Sequence, residues 1–281
     1  MANRAFAPAK VNLALHVTGQ RQDGYHQLDS LVVFVGIGDR ITVSKADDLS
    51  LTVTGPRAAG VPTGPENLVL KAAALLRGDR PLGAQISLEK NLPAAAGIGG
   101  GSSDAAATLR ALAGLWQCDL PDDAGLSLGA DVPVCLTAQS CRMEGIGEQI
   151  TPLPNLPTLH MVLVNPGVEV PTPVVFKGLA SKNNPAMEAL PQEPSPLGFI
   201  AWLGRQRNDL EPPARARAPE ITTVLEAMAD TDQVLLHRMS GSGATCFALY
   251  PSMEAAAAAA IALKQTNADW WVASGQTGTF A

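Results

Sequence analysis

Pro93 to Asp104 reads PAAAGIGGGSSD, and the fold turns on how this stretch is understood. Just before it, Gln85 to Lys90 alternates with Ile86 and Leu88 on one side, the period of a strand. Just after it, Ser102 to Leu115 has the composition of a helix. Strand, glycines, helix is an arrangement that receives phosphate. Gly97, Gly99, Gly100 and Gly101 permit positive φ and close approach of the backbone to a ligand. Successive free N–H groups there would form an anion nest. Ser102 or Ser103 would cap the helix, whose N-terminal dipole favours negative charge. A flexible glycine turn with a good N-cap accounts for the glycines equally well. The preceding strand, the serine pair and the absence of linker-like composition favour phosphate. Neither common phosphate motif fits. A Walker A loop needs Gly-Lys-Ser/Thr, and here Ser102 follows Gly101 directly; the dinucleotide fingerprint has Ser102 where its last glycine belongs.

Working outward, 281 residues suit one large domain or two smaller ones, and 46% apolar residues supply a core. With aromatics at 4%, Leu, Val, Ile and Ala must fill it. The net charge of −6 and the lack of any Lys/Arg run argue against a nucleic-acid partner. The densest basic stretch, Arg205, Arg207, Arg215 and Arg217, is interrupted by Asp209 and Glu211 and reads as a solvated face. An anionic ligand would therefore be held by local groups, not by a global positive field. Cys118, Cys135, Cys141 and Cys246 form no CxxC pair, which leaves reduced, mostly buried thiols of a cytoplasmic protein as the simplest expectation. Lys10 and Asn12 break the first apolar segment, so no signal peptide is expected, and no run approaches the length of a membrane span.

Val11, Leu13, Leu15 and Val17 alternate with Asn12, Ala14 and His16, predicting a half-buried strand. Arg21 to His26 is a turn around Asp23-Gly24. Leu31–Val35, Ile41–Val43 and Leu49–Thr54 read as separate strands, and Asn67–Arg77 as a helix. Pro152, Pro154 and Pro157 punctuate the middle of the chain, giving expected domains of residues 1–157 and 158–281. Met161–Val164 starts the second as a strand. Ser181–Pro196 is expected to be a mobile loop, followed by helices near 199–206 and 219–229, a strand at 246–249 and an Ala-rich helix at 255–263. Strands and helices mix without a βαβ repeat, so the expected class is α+β.

PAAAGIGGGSSDAA resembles the signature loop of the GHMP kinases, and its extra glycine resembles the branch acting on a cytidyl-linked methylerythritol. Ala7–Asn12 (APAKVN), Asp23–His26 (DGYH), Gly129–Pro133 (GADVP), Pro171–Phe176 (PTPVVF), Asn208–Glu211 (NDLE) and Arg238–Ala244 (RMSGSGA) are similar to that branch, in the expected order over nearly the whole chain. The resemblance implies a two-domain GHMP kinase fold, with a ribosomal S5 domain 2-like N-terminal domain that binds ATP and carries the catalytic pair. It implies a ferredoxin-like C-terminal domain that contributes to substrate binding, with the site in the cleft between them. It implies transfer of the ATP γ-phosphate to the 2-hydroxyl of the cytidyl-linked substrate, with Mg2+ expected and no residue assigned as its ligand. Pro93, Ala94, Ala95, Ala96, Gly97, Ile98, Gly99, Gly100, Gly101, Ser102 and Ser103 are then the ATP-binding residues. Gly241, Ser242 and Gly243 are a second glycine turn that supports them.

Within that resemblance Asp131 is the base, because transfer to an alcohol needs a carboxylate within reach of the attacking hydroxyl. The apolar follow-on Val134-Cys135-Leu136 suggests a strand edge there; a turn or helix-end aspartate is the plain alternative. Lys10, a lone charge in an apolar strand, needs a partner, and Asp131 would be it; a lysine snorkelling from an edge strand is the alternative. Tyr25 and Phe176 could sandwich a pyrimidine with His26 at its edge, and Asn12 and Thr172 are secondary polar contacts. Lys90 and Asn91 could touch adenine or ribose. Relative to the family it resembles, Gln117–Leu128 is shorter by about two helical turns. The acceptors of other GHMP kinases (homoserine, mevalonate, a sugar) and a non-catalytic binding module are the rival readings. The oligomeric state is open.

Overall fold

The computed structural model describes residues 2–94, 96–192 and 194–280. Its first sheet is built on a long hairpin. Strand β1 (Asn3–Gln20) pairs antiparallel with β2 (His26–Ala46) along its whole length, from Asn3 opposite Val43 to Gln20 opposite His26. The connecting turn holds Gly24 at φ 90°, as the Asp-Gly signal predicts. Leu31–Val35 and Ile41–Val43 are parts of this one strand. The polar break between them is absorbed by a register shift opposite Pro8/Ala9, not by a chain reversal. The other edge of β2 is shared: residues 40–46 pair with β4 (Gly83–Glu89) and residues 28–32 with β5 (Cys141–Gly145). Strand β3 (Leu49–Thr54) lies parallel to β4, and β6 (Gln149–Pro152) antiparallel to β5.

Helices α1 (Leu68–Arg77) and α2 (Gly100–Trp116) cover one face of this sheet, packing Val69, Ala72, Ala106 and Leu109 against Val43, Ile86 and Leu88. The Asn67 side chain starts α1 by accepting the N–H of Val69 at 2.9 Å. Between Trp116 and Asp131 the only regular element is a 3-10 turn at Leu126–Leu128, followed by the short helix α3 (Val132–Thr137). The strand edge expected at 134–136 is thus a helix. Pro133 presets helical φ in its first turn, and Val132, Val134 and Cys135 are buried against the sheet.

The second sheet runs β10 (Trp271–Gln276), β7 (His160–Asn165), β9 (Cys246–Tyr250) and β8 (Leu236–Met239), with neighbours antiparallel throughout. With it go α4 (Thr172–Lys177), α5 (Pro196–Gly204), α6 (Glu211–Arg217), α7 (Glu220–Ala229) and the Ala-rich α8 (Met253–Thr266). The α+β class is borne out. A third apolar cluster joins the sheets, with Val11, Leu13, Leu31 and Val33 from one meeting Met161, Leu163, Phe247 and Leu249 from the other. For this reason β1 is buried on both faces over residues 7–17, where alternation alone predicted one.

Two polar clamps hold the halves together. Arg238 on β8 donates to the carbonyls of Leu13 on β1 at 2.7 Å, Leu203 at 3.1 Å and Gln206 at 2.8 Å. Asp29 on β2 takes a bidentate bond from Arg142, both contacts at 2.7 Å, and the N–H of Met187 at 2.7 Å. The second clamp corrects the expectation of a mobile loop at 181–196. Regular structure is indeed missing from 178–192, but Asn184 N–H donates to Val17, the Met187 side chain is buried, and the Pro185 carbonyl accepts from the Arg207 guanidinium. Polar composition marked the segment as irregular; what pins it is the set of partners it finds on β1 and β2. His16 closes the same junction: its Nε2 accepts the Arg207 N–H at 2.9 Å and its Nδ1 faces the Pro185 carbonyl at 3.1 Å. Burial, ahead of the Arg207 charge, lowers its pKa and keeps the ring neutral.

All four cysteines are free, and Cys135, Cys141 and Cys246 are buried. Burial pushes the Cys141 thiol up to about 12, so it is not a nucleophile at neutral pH. Among the described residues no helix is long and apolar enough to cross a membrane.

Candidate active site

The glycine stretch leaves β4, turns, and enters α2. Gly97 and Gly99 have φ 72° and 64°, left-handed values that a side chain would strain. A Cβ on Gly97 would also lie 2.7 Å from the carbonyl oxygens of Ser240 and Gly243. The second glycine turn, Gly241-Ser242-Gly243, therefore interlocks with the first. The Ser240 hydroxyl donates to the Gly97 carbonyl at 3.2 Å, and the Thr245 N–H to that of Ala96 at 3.2 Å. Asn208 holds this turn from behind, its amide donating to the carbonyls of Met239 and Gly241 at 2.8 and 2.9 Å.

The expected serine cap is not what starts α2. Left-handed Gly99 is the N-cap, with no side-chain bond, so the helix begins two residues earlier, at Gly100. Ser103 is buried and donates to the Pro8 carbonyl at 2.8 Å, which ties the helix to β1. Ser102 is left facing the cleft. The first N–H groups of α2 thus point into open space beside the glycines, as an anion site requires.

Lys10 on β1 lies against the same loop. Its N–H donates to the Ile98 carbonyl at 3.0 Å, and its side chain passes within 3.2 Å of where a Gly99 Cβ would stand. Its ammonium reaches Asp131 Oδ2 at 2.9 Å, with side chains 6% and 37% exposed. Burial alone would lower the Lys10 pKa; the charge and hydrogen bond of Asp131 outweigh it and hold the ammonium above its ordinary range. Asp131 stands at the start of α3 without capping it, so its carboxylate is committed to Lys10 and to the cleft.

The cleft has two connected parts. One, of about 460 Å³, is lined by Lys10, Asn12, Asp131, Ser102 and both glycine turns, with Thr172 and Phe176 on its far wall. The other, of about 820 Å³, is lined by Tyr25, His26, Phe176, Lys177 and Lys182. Asp131, Ser102, Thr172 and Phe176 belong to both. Asn12 donates to the Ser30 hydroxyl at 2.7 Å, and Thr172 shares a hydrogen bond with Ser242 at 2.8 Å. The expected Tyr25–Phe176 sandwich is modified. The His26 ring stacks on Phe176 with centroids 4.7 Å apart and planes at 23°, while Tyr25 is 62% exposed at the rim. His26 Nε2 is buried and, among the described residues, has no hydrogen-bond partner; burial, with Lys182 second, lowers its pKa.

Of the remaining loop positions, Pro93, Ala94, Ile98 and Gly243 shape the loop without lining the cleft, and Ala95 lies outside the described residues. Lys90 corrects an expectation. It is buried and bonded to Asp39 and Asp104, so it is not free to touch a nucleotide. Sequence reasoning missed Ser30, Leu28 and Ile146, which line the cleft, and Lys177 and Lys182. Ile146 sits in a Gly-Ile-Gly turn that composition could have flagged; Lys182 comes from the pinned strap and carries no motif.

Comparison with known proteins fits this geometry. The family model described as GHMP kinases N terminal domain matches residues 67–143, and that for GHMP kinases C terminal matches 186–269. The chain belongs to the GHMP kinase family. This GHMP kinase is 62% identical over 269 residues to the 4-diphosphocytidyl-2-C-methyl-D-erythritol kinase of Dinoroseobacter shibae, covering 95% of this chain and 92% of that one. It is 58% identical over 272 residues to the protein of the same name from Cereibacter sphaeroides, covering 96% and 97%. A crystal structure of 4-(cytidine 5'-diphospho)-2C-methyl-D-erythritol kinase superposes with a TM-score of 0.81 at 36% identity, over 98% of this chain and 99% of the other. The chain is accordingly a small-molecule kinase with ATP as a substrate.

Proposed function

We propose that this kinase transfers the γ-phosphate of ATP to the 2-hydroxyl of 4-diphosphocytidyl-2-C-methyl-D-erythritol, with Asp131 as base and Lys10 as its charged partner. The observation that carries the reading is one continuous cleft: the Lys10–Asp131 pair lies between a glycine nest on one side and a Phe176–His26 stack on the other. The relatives' shared name supports the choice of acceptor.

The triphosphate lies against Gly97–Ser102, where the N–H groups of the loop and the α2 terminus meet its charge. The acceptor's alcohol sits at Asp131. As its oxygen bonds to the γ-phosphorus, the bond from that phosphorus to the β,γ-bridging oxygen breaks and ADP leaves; the hydroxyl proton passes to Asp131. Lys10 holds the Asp131 carboxylate in place through the 2.9 Å ion pair and faces the charge that develops on the phosphoryl oxygens. Mg2+ enters with ATP as part of that substrate. Among the described residues no cluster of three His, Cys, Asp or Glu side chains is arranged as a resident metal site. The cytosine rests on Phe176 with Tyr25 at the rim, and the unpartnered His26 Nε2 meets its polar edge. Asn12 and Thr172 add polar contacts. In this reading residues 1–157 bind ATP and carry the catalytic pair while 158–281 supply Thr172 and Phe176. The connection between Pro152 and His160 supports that division. Four free thiols support a reducing, cytoplasmic setting.

The test is ADP release, coupled to a reporter, with the cytidyl substrate beside homoserine and mevalonate. Turnover is expected with the cytidyl substrate alone; turnover on mevalonate without it would overturn the choice of acceptor. Phe176→Ala is expected to raise the KM for the cytidyl substrate about tenfold, the value of one lost aromatic stacking face. The KM for ATP should stay within about twofold by the same scale. An equal rise in both would remove Phe176 from the cytidine site.

A further inference from the structure

Beneath the phosphate loop lies a group of charges that the chemistry above does not use. Lys90 follows β4, Asp39 belongs to β2 and Asp104 to the second turn of α2; they are 4%, 0% and 4% exposed. The Lys90 ammonium donates to Asp39 Oδ2 at 2.5 Å and to Asp104 Oδ2 at 2.7 Å. The two carboxyl groups are not equivalent. Asp39 Oδ1 also accepts the N–H groups of Asn91 at 2.5 Å and Leu92 at 2.8 Å, so three donors converge on Asp39. Asp104 Oδ1 is buried and, among the described residues, has no hydrogen-bond partner. One ammonium cannot neutralise two carboxylates, and with both ionised the group would leave a net negative charge in the interior. Burial, ahead of the neighbouring charges, pushes the Asp104 carboxyl up to about 8.

Its position gives that charge a consequence. Gly100, the first residue of α2, lines the cleft, and a Cβ on it would stand 3.4 Å from the Lys90 ammonium. A triphosphate bound at the loop would bring several negative charges to the far side of this glycine. An ionised Asp104 repels them through a medium that screens poorly; a protonated one leaves a neutral Lys90–Asp39 pair, with the positive end of that pair toward the loop.

We propose that Asp104 takes up a proton when ATP binds, so that this buried carboxyl acts as a positioning residue which neutralises the floor of the phosphate loop. The proposal rests on the assignment of the loop to ATP made above. Other charged groups on the elements packed around α2 are committed or remote. Lys10 on β1 is paired with Asp131, and Arg110 on α2 donates to the carbonyls of Phe6, Cys135 and Leu136. Lys71 and Arg77 on α1 are exposed and half-buried. Burial, with Asp131 second, pushes the Cys135 thiol on α3 well above the range in which it could titrate beside Asp104.

Calorimetric titration of Mg-ATP into the full-length enzyme, in buffers of differing ionisation enthalpy, counts the protons taken up. If ATP lifts Asp104 above about 9, uptake at pH 8.5 is about half a proton, and the Kd for ATP weakens several-fold between pH 7.5 and 9. Asp104→Asn is expected to bind ATP with no uptake and a flat Kd over that range. In the wild-type protein, the C=O stretch of a protonated carboxyl should gain intensity when ATP is added at pH 9. This infrared readout stands even if the variant fails to fold. ATP binding without proton uptake, or the same uptake in Asp104→Asn, would overturn the proposal and leave the loop assignment intact. No ATP binding at pH 7.5 would overturn the loop assignment, and the proposal with it.

Discussion

Asp131→Asn is expected to lower kcat by about a thousandfold, within the range that removing a positioned general base produces. The Kd for ATP should stay within about twofold, since the nest is made of backbone N–H groups that the change does not touch. Asparagine keeps the size of the side chain and loses its charge. Asp131 makes no capping bond to α3, so the variant should melt close to the parent; a fold defect would be a poor explanation for lost turnover. The partner is affected as well. Lys10 is held above its ordinary range by Asp131 against burial that pulls the other way. With the carboxylate gone, burial prevails and the ammonium becomes easier to deprotonate. The residual rate of the variant should therefore fall with rising pH at a lower value than in the parent. Measurement is by ADP release under saturating substrates, with ATP affinity by calorimetry. Full activity in Asp131→Asn would sink the assignment of the base.

Much of this site was legible because its chemistry depends on backbone freedom and on charges out of place. Gly97 and Gly99 stand in left-handed conformations that glycine takes without strain, and Lys10 is an ammonium in an apolar strand. Such residues break local rules, and the sequence carries no compensation nearby. The misses have the opposite character. Ser103 has the right chemistry for an N-cap, yet it lies inside the helix and its hydroxyl donates to a carbonyl far away in sequence, that of Pro8. Nothing near Lys90 in sequence marks it as paired, and only the folded chain brings Asp39 to it from 51 positions away. Residues 134–136 are apolar enough for a strand; Pro133 in the first turn decides for a helix. The strap at 178–192 is polar and irregular, as composition suggested, but its anchors on β1 and β2 are non-local. Local sequence specifies what a segment can do, and long-range partners choose among those options.

The same logic makes Arg238 the residue whose loss should cost most in stability. It sits in the segment RMSGSGA, where the flanking glycines draw attention, but its side chain serves the junction of the two sheets. It is 9% exposed and, among the described residues, forms no ion pair; it satisfies the carbonyls of Leu13, Leu203 and Gln206, on β1 and in and just after α5. Burial lowers its pKa to about 10, still high enough for a guanidinium charged at neutral pH. Arg238→Met keeps much of the apolar stem and takes the guanidinium from the carbonyls of Leu13, Leu203 and Gln206, of which that of Leu203 keeps the Gln206 N–H at 3.0 Å. At about 1–3 kcal/mol for each unsatisfied group, less relaxation and water entry, a loss of about 3–5 kcal/mol is expected. Against a typical total of 5–15 kcal/mol that is a large fraction, and the melting temperature should fall by about 10 °C. Arg238→Lys should recover only part of it, because one ammonium on a flexible stem cannot reach three acceptors fixed around a planar fork. Leu13 lies one residue from Asn12, whose own N–H is held by the Ser240 hydroxyl, so the loosened junction should also weaken ATP binding before the protein unfolds. Thermal melting with and without ATP checks both parts. A melting temperature within about 2 °C of the parent would mean that water or neighbouring donors satisfy those carbonyls, and that the junction does not depend on this side chain.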